Sequence, residues 1–206
     1  MKWGGSFCFW EVNMLEKRDS KGRTEEEAIA AYKGKNYPRP ALTADIALFT
    51  RDGDQMKVLL IRRANHPYLG CWALPGGFAN PNEPIAHTAF RELQEETGVA
   101  CDSLQLVGVY SKPGRDPRGW VVSVAYTAYV EYNDHPIHSA DDAAEARWMN
   151  VQLVNDQPTV FLPDGEKLAF DHDIILNDAL HVNAIMASAK DILDWVQVKD
   201  VKDYPG

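Results

Sequence analysis

The hydrophobic pattern of this chain switches between two periods. Ala44 to Thr50 and Met56 to Arg62 are short runs rich in Ile, Leu and Val, which predict strands, and Asp52-Gly53-Asp54 supplies the turn between them. Leu104 to Lys112 and Val121 to Glu131, rich in Val and Tyr, predict two more strands, and Glu145 to Asn150 another. Between these strands the period lengthens. Ile85, Ala86, Ala89, Phe90 and Leu93 recur at helical spacing and predict a helix from about Pro84 to Glu96 with one buried stripe. Thr24-Glu-Glu-Glu27 is a capping-box pattern that opens a short helix to about Tyr32, after which Asn36-Tyr-Pro-Arg-Pro40 forces extended chain. From Leu168 the spacing of Ile174, Ile175, Ala179, Val182, Ile185 and Met186 predicts an amphipathic helix of about 16 residues. A second helical stretch carries Ile192, Leu193, Trp195 and Val196. Strands outnumber helices and flank one long central helix, so the fold class is α/β, with a mixed sheet covered by helices.

The polar side of the central helix carries the chemistry. Glu92, Glu95 and Glu96 sit at i, i+3 and i+4, so their carboxylates gather on one face. Like charges at that spacing repel, and a cation between them removes the cost. Hard oxygen ligands suit Mg²⁺ or Mn²⁺, which commonly take a few carboxylates together with substrate phosphate. The bland alternative is a solvated acidic face. Glycines bracketing the helix and Arg91 set among the acids speak against it.

Gly77, Glu83, Arg91, Glu92, Leu93, Glu95, Glu96, Gly98 and Val99 resemble the Nudix box at each of its nine defined positions over 23 residues. The likeness extends from about Pro38 to Asn150. It implies a Nudix-type α/β/α sandwich at 38–176, an N-terminal extension with one short helix at 1–37, and a C-terminal helical tail at 177–206. It also implies hydrolysis of a nucleoside diphosphate linked to another group. There Glu92, Glu95 and Glu96 hold the metal, and one of them can instead orient or deprotonate the water. The carbonyl of Gly76 is a further metal ligand. Arg91 pairs with Glu83 and positions the acidic helix. Glu145, beside Asp141 and Asp142, is a candidate for the late acid many relatives carry outside the box. The competing reading is an exposed acidic loop.

A second segment, Pro113-Gly-Arg115-Asp116-Pro-Arg118-Gly-Trp120, places two guanidinium groups in a tight loop between strands. Guanidinium is a good bidentate partner for phosphate. This segment resembles the Arg-Asp-Pro-Arg-Gly signature of ADP-ribose pyrophosphatases, shared with Nudix-related regulators of NAD metabolism. It implies Arg115, Asp116 and Arg118 as ligand-binding residues and ADP-ribose or a close NAD-derived compound as the ligand, whether hydrolysed or sensed. Adenine needs an apolar wall, for which Trp72, Phe78, Tyr110 and Trp120 are candidates, each also suited to the core. The six histidines show no zinc spacing and receive no role.

Composition narrows the partners. A net charge of −9 argues against a nonspecific nucleic-acid or anionic-membrane surface. No apolar run approaches 18 residues. Three cysteines without a Cys-x-x-Cys pair point to a reduced, cytoplasmic setting. Met14 is an alternative start. Trp3, Phe7, Phe9 and Trp10 offer aromatic surface for a homodimer, which the resemblance also implies.

The expectation is therefore a Mg²⁺- or Mn²⁺-dependent diphosphatase yielding AMP and ribose 5-phosphate, with a small nucleotide as its partner and neither nucleic acid nor membrane. One alternative is an ADP-ribose-sensing transcriptional regulator with a winged helix. Against it stand the 30 residues that follow Leu176 and the acids Asp178, Asp191, Asp194, Asp200 and Asp203, which outnumber Lys190, Lys199 and Lys202. The other is a Nudix hydrolase of a different nucleotide.

Overall fold

The computed structural model describes residues 17–132, 137, 143–154, 157–163 and 166–189. The chain divides into two units, Met1–Arg39 and Pro40–Gly206. In the first, α1 (Glu25–Lys33) begins at a complete capping box: Thr24 Oγ1 accepts from Glu27 N–H at 3.2 Å, and Glu27 Oε2 accepts from Thr24 N–H at 2.9 Å.

The second unit is built on a mixed sheet. β1 (Ala41–Asp52) and β2 (Gln55–Arg63) form a hairpin closed by Gly53 at φ +59°, a left-handed conformation that glycine adopts freely. Two short strands follow, β3 (Trp72–Ala73) and β4 (Gly76–Phe78), then α2 (Ile85–Thr97). β5 (Gln105–Tyr110), β6 (Val121–Tyr129), β7 (Ala143–Val154) and β8 (Gln157–Val160) complete the strands, and α3 (His172–Ala189) comes last. The order across the sheet is β5-β6-β1-β2-β7-β8. β1 and β6 run parallel, and the other pairs are antiparallel.

β1 and β2 pair only at their turn end, Phe49–Asp52 against Gln55–Val58. Nearer the other end they diverge. β4 pairs with β1, Asp45 opposite Gly76, while β3 pairs with β2, Ile61 opposite Ala73. The candidate site sits in this split.

Alternation along the strands feeds two cores. On one face Ala44, Ile46, Leu48 and Leu59 pack against Ala89 and Leu93 of α2. On the other, Phe49, Val58 and Leu60 pack against Ile175, Leu176 and Ala179 of α3. The result is the α/β/α sandwich expected from the sequence. α2 ends at Gly98, whose φ of +72° and N–H bond to Gln94 O make a left-handed C-cap.

The last helix starts at His172, four residues later than the apolar spacing suggests. Trp72 bridges Leu168, Trp72 N–H donates to Lys167 O at 3.0 Å, and Ala169 N–H donates to Trp72 O at 2.7 Å. Pairing with β3 takes the backbone groups that a helix would use. The aromatics at 3, 7, 9 and 10, the acids Asp141 and Asp142, and the helical stretch at 192–196 lie outside the described residues. No described helix is long and apolar enough to cross a membrane.

Candidate active site

Gly76 and Gly77 form the floor of the cleft between the diverging strands. A Cβ on Gly76 would lie 2.7 Å from Asp45 Oδ1 and strike Ala44 O, and one on Gly77 would lie 2.5 Å from both Glu92 carboxylate oxygens. Only a bare backbone lets the β4 strand, Asp45 and Glu92 come this close.

The acidic helix meets this floor. Glu96 Oε2 accepts the Gly76 N–H at 2.8 Å. Burial, with Glu92 and Asp45 adding like charge, pushes the Glu96 carboxyl up to about 8. Burial also raises Glu92, opposed by its bond to Arg91. Glu95 is exposed. Arg91 binds the set together: Nε and Nη2 grip the two Glu83 oxygens at 2.8 and 2.9 Å, and Nη1 donates to Glu92 at 2.7 Å and Glu95 at 3.0 Å. Its Nη2 also donates to Phe78 O at 3.1 Å. That fork holds Glu83 down to about 2, helped by the Asn80 N–H. The guanidinium spans the loop and the helix as a rigid clamp.

These donors suit a hard divalent cation in type and in charge. They are carboxylate oxygens, two of them desolvated, with their negative charge incompletely offset. Among the described residues no three His, Cys, Asp or Glu side chains converge on a single point. Glu92 and Glu95 turn toward Arg91, and Glu96 turns toward Gly76. To hold an ion here, Glu92 and Glu95 would have to turn from Arg91 toward the cleft.

The Arg loop arrives from the α3 side. Arg115 is 4 % exposed at its side chain and donates Nε and Nη2 to the Asp171 carboxylate at 2.9 and 2.6 Å, with Asp45 at 4.0 Å. Arg118 grips the Asp116 carboxylate at 3.0 Å through Nε and 2.6 Å through Nη2. Burial works against ionised Asp116, but the Arg118 fork outweighs it and holds the carboxyl low. Both arginines the sequence offered as phosphate contacts thus commit one edge, Nε and Nη2, to a carboxylate of the chain itself.

Three residues to which sequence reasoning gave no role line the same cleft. Arg63, at the end of β2, donates Nε to Pro67 O at 2.8 Å and lies 5.0 Å over the Phe170 ring. It makes no ion pair with a carboxylate among the described residues, and burial followed by Arg118 lowers its affinity for its proton. It lines the cleft together with Glu92, Glu96 and Arg118. Asp45 is buried beneath Gly76 and takes a short hydrogen bond from Ser123 Oγ. His172 accepts the Leu74 N–H at Nδ1, 2.9 Å, and faces Asp45 through Nε2 at 3.8 Å. An Nδ1 that accepts carries no proton, and burial lowers the imidazole pKa, so this ring is neutral. It pins the segment leading to Gly76.

Glu145 does not join the carboxylates of α2. Its register partner is Arg62, and along β2 the residues Val58, Leu60 and Arg62 face α3 while Leu59 faces α2. Glu145 therefore lies on the α3 face, beside Arg62 at 3.9 Å and in a short ion pair with Arg147. The sheet separates it from Glu92 and Glu96. Two of the four adenine-wall candidates are also used elsewhere. Trp72 is 1 % exposed in the α3-side core, and Tyr110 donates its hydroxyl to Asp178 at 2.8 Å.

Comparison with known proteins agrees with this geometry. The family model described as NUDIX domain matches residues 39–169. An ADP-ribose pyrophosphatase of Methanocaldococcus jannaschii is 37 % identical over 176 residues, spanning 84 % of this chain and 93 % of that protein. An ADPR responsive transcriptional repressor, NtrR, of Acinetobacter baylyi is 34 % identical over 160 residues, which cover 76 % of this chain and 59 % of the repressor. Among solved structures, the NUDIX domain of Shewanella oneidensis NrtR in a cocrystal with ADP ribose superposes with a TM-score of 0.65 at 34 % identity, covering 78 % of this chain and 99 % of that one. With the box glutamates on α2 and the Gly76–Gly77 floor beneath them, the chain belongs to the NUDIX domain family.

Proposed function

We propose that this chain hydrolyses ADP-ribose to AMP and ribose 5-phosphate, using Mg²⁺ or Mn²⁺. Glu92, Glu95, Glu96 and the Gly76 carbonyl are the groups that would hold the metal. When bound, the ion neutralises phosphate charge and lowers the pKa of water. The observation that carries the reading is the Glu96 carboxylate, largely buried on the Gly76 N–H beside half-buried Glu92. Two desolvated carboxylates side by side, one of which holds its proton up to about 8, are costly to ionise unless a cation or substrate chemistry uses them. Arg91 keeps Glu92 and Glu95 within reach of the β4 backbone. Arg63, which makes no ion pair with a carboxylate among the described residues, takes a phosphate oxygen of the diphosphate. Arg118, held by Asp116, and Arg115, held by Asp171, shape the wall. The likeness to the Methanocaldococcus pyrophosphatase over nearly its full length supports ADP-ribose as the substrate.

The likeness to the repressor supports a second reading, in which ADP-ribose is bound without hydrolysis. The complete set of box carboxylates favours hydrolysis. Incubation with ADP-ribose and either metal, followed by separation of nucleotides, decides between them. AMP formed in step with ribose 5-phosphate is expected; intact ADP-ribose bound at saturation would establish the sensor. We also expect a cytoplasmic homodimer, for which light scattering is the check. A mass corresponding to a single chain would remove the dimer.

A further inference from the structure

Phe78 ends β4 with 41 % of its surface exposed and lies outside the apolar clusters formed by the described residues. It lines the cleft on both sides, with Asp45 and His172 on one and Glu92 and Glu96 on the other. The Arg118 guanidinium carbon lies 4.7 Å from the Phe78 ring centre and 5.4 Å from that of Phe170. Arg63 in turn lies 5.0 Å from Phe170. The four side chains make a ladder in which ring and cation alternate. Asp116 fixes its middle by holding the edge of Arg118, which leaves the flat guanidinium faces to the rings. Phe170 sits at φ +55°, a conformation that a non-glycine residue keeps only when its surroundings impose it. The ladder is thus a built feature rather than a chance contact of surface side chains.

A cation against one face of an aromatic ring draws π density toward it, which favours an electron-rich ring on the opposite face. We propose that the open face of Phe78 is the stacking platform for the nucleobase of the substrate, backed by Arg118, with the diphosphate running from there toward Arg63 and Glu96. The inference rests on the reading that the substrate is a nucleoside diphosphate derivative. It assigns the base to the exposed end of the ladder and the charge to Arg63, which makes no ion pair with a carboxylate among the described residues. Of the remaining aromatic candidates, Trp120 is 58 % exposed but does not line the cleft.

Calorimetric titration of the full chain with AMP and with ribose 5-phosphate, in the presence of Mg²⁺, tests this. The two ligands share a phosphorylated ribose, and only AMP carries a base. Phe78→Leu should weaken AMP about tenfold or more, the scale of one lost base stack, and leave ribose 5-phosphate within about twofold. Phe78→Tyr, which keeps the ring, should restore AMP binding, and both variants should melt close to the wild type. An equal loss for both ligands would mean that Phe78 only props the loop, and would overturn the proposal. An AMP loss in Trp120→Leu with none in Phe78→Leu would overturn it too. A wild type that binds no nucleoside monophosphate would remove the platform and the proposed substrate together. Base-dependent binding at Phe78 with no hydrolysis of ADP-ribose would uphold the platform and refute only the enzymatic reading.

Discussion

Replacing Glu96 by Gln separates the two consequences of its carboxylate. Without metal, the folded protein holds the proton on Glu96 up to a pKa of about 8, against a reference of 4.5. Between those values the folded state binds a proton that the unfolded chain has released. Stability therefore falls as pH rises through this window and levels off above it. At about 1.4 kcal/mol per pH unit, the ceiling on this loss is roughly 4–5 kcal/mol. The cleft is open to water on one side, so we expect roughly half of it. Gln keeps an acceptor for the Gly76 N–H and brings no charge. In chelator near pH 8, Glu96→Gln should be more stable than the wild type by roughly 2–3 kcal/mol, and the difference should vanish near pH 5. Added Mg²⁺ or Mn²⁺ should reverse the order, stabilising the wild type and leaving the variant unmoved. Turnover should fall by about 10²–10⁴. Urea unfolding at the two pH values, with and without metal, reads all of this. A variant less stable than the wild type at pH 8 in chelator, or one that gains as much from metal, would refute the reasoning.

Three further outcomes are expected. Arg63→Ala should lower kcat/KM for ADP-ribose by roughly 10–150-fold, the worth of one charge-assisted contact, with metal affinity unchanged; an unaffected kcat/KM would remove Arg63 from the phosphate site. Arg115→Ala leaves Asp171 and buried Asp45 without their cation and should cost roughly 3–5 kcal/mol of stability, read by urea unfolding, whereas a stable but inactive variant would return Arg115 to direct substrate contact. Gly77→Ala places a methyl group 2.5 Å from the Glu92 oxygens and should cut metal-stimulated turnover about 10²-fold through displacement of that ligand, and wild-type activity would show that Glu92 is free to move.

The box was legible because its chemistry is local. Glu92, Glu95, Glu96 and Arg91 share one helix, and helical spacing alone gathers them. The strands flanking it were legible from their apolar runs, and α1 from its capping box. Arg63, Asp45 and His172 come from three distant segments, and no spacing rule brings them together. The alternation Leu60, Arg62 against Leu59, Arg63 did carry a signal, since it puts the two neighbouring arginines on opposite faces. The partners of Arg115 and Arg118 were not legible. A guanidinium that reads as free in sequence is committed to Asp171 in one case and to Asp116 in the other. Glu145 failed for the same reason in reverse: the sequence gives its acidity, while strand register decides the face.

The central claim is hydrolysis of ADP-ribose by the Glu92–Glu96 face. Its most direct test is product analysis by the wild type and by Glu96→Gln, with ADP-ribose, a nucleotide sugar and 8-oxo-dGTP offered in parallel under Mg²⁺ and under chelator. The account requires AMP and ribose 5-phosphate from ADP-ribose as the preferred reaction, lost in chelator and in the variant. A nucleoside triphosphate as the best substrate, or ADP-ribose turnover that survives in Glu96→Gln, would contradict it.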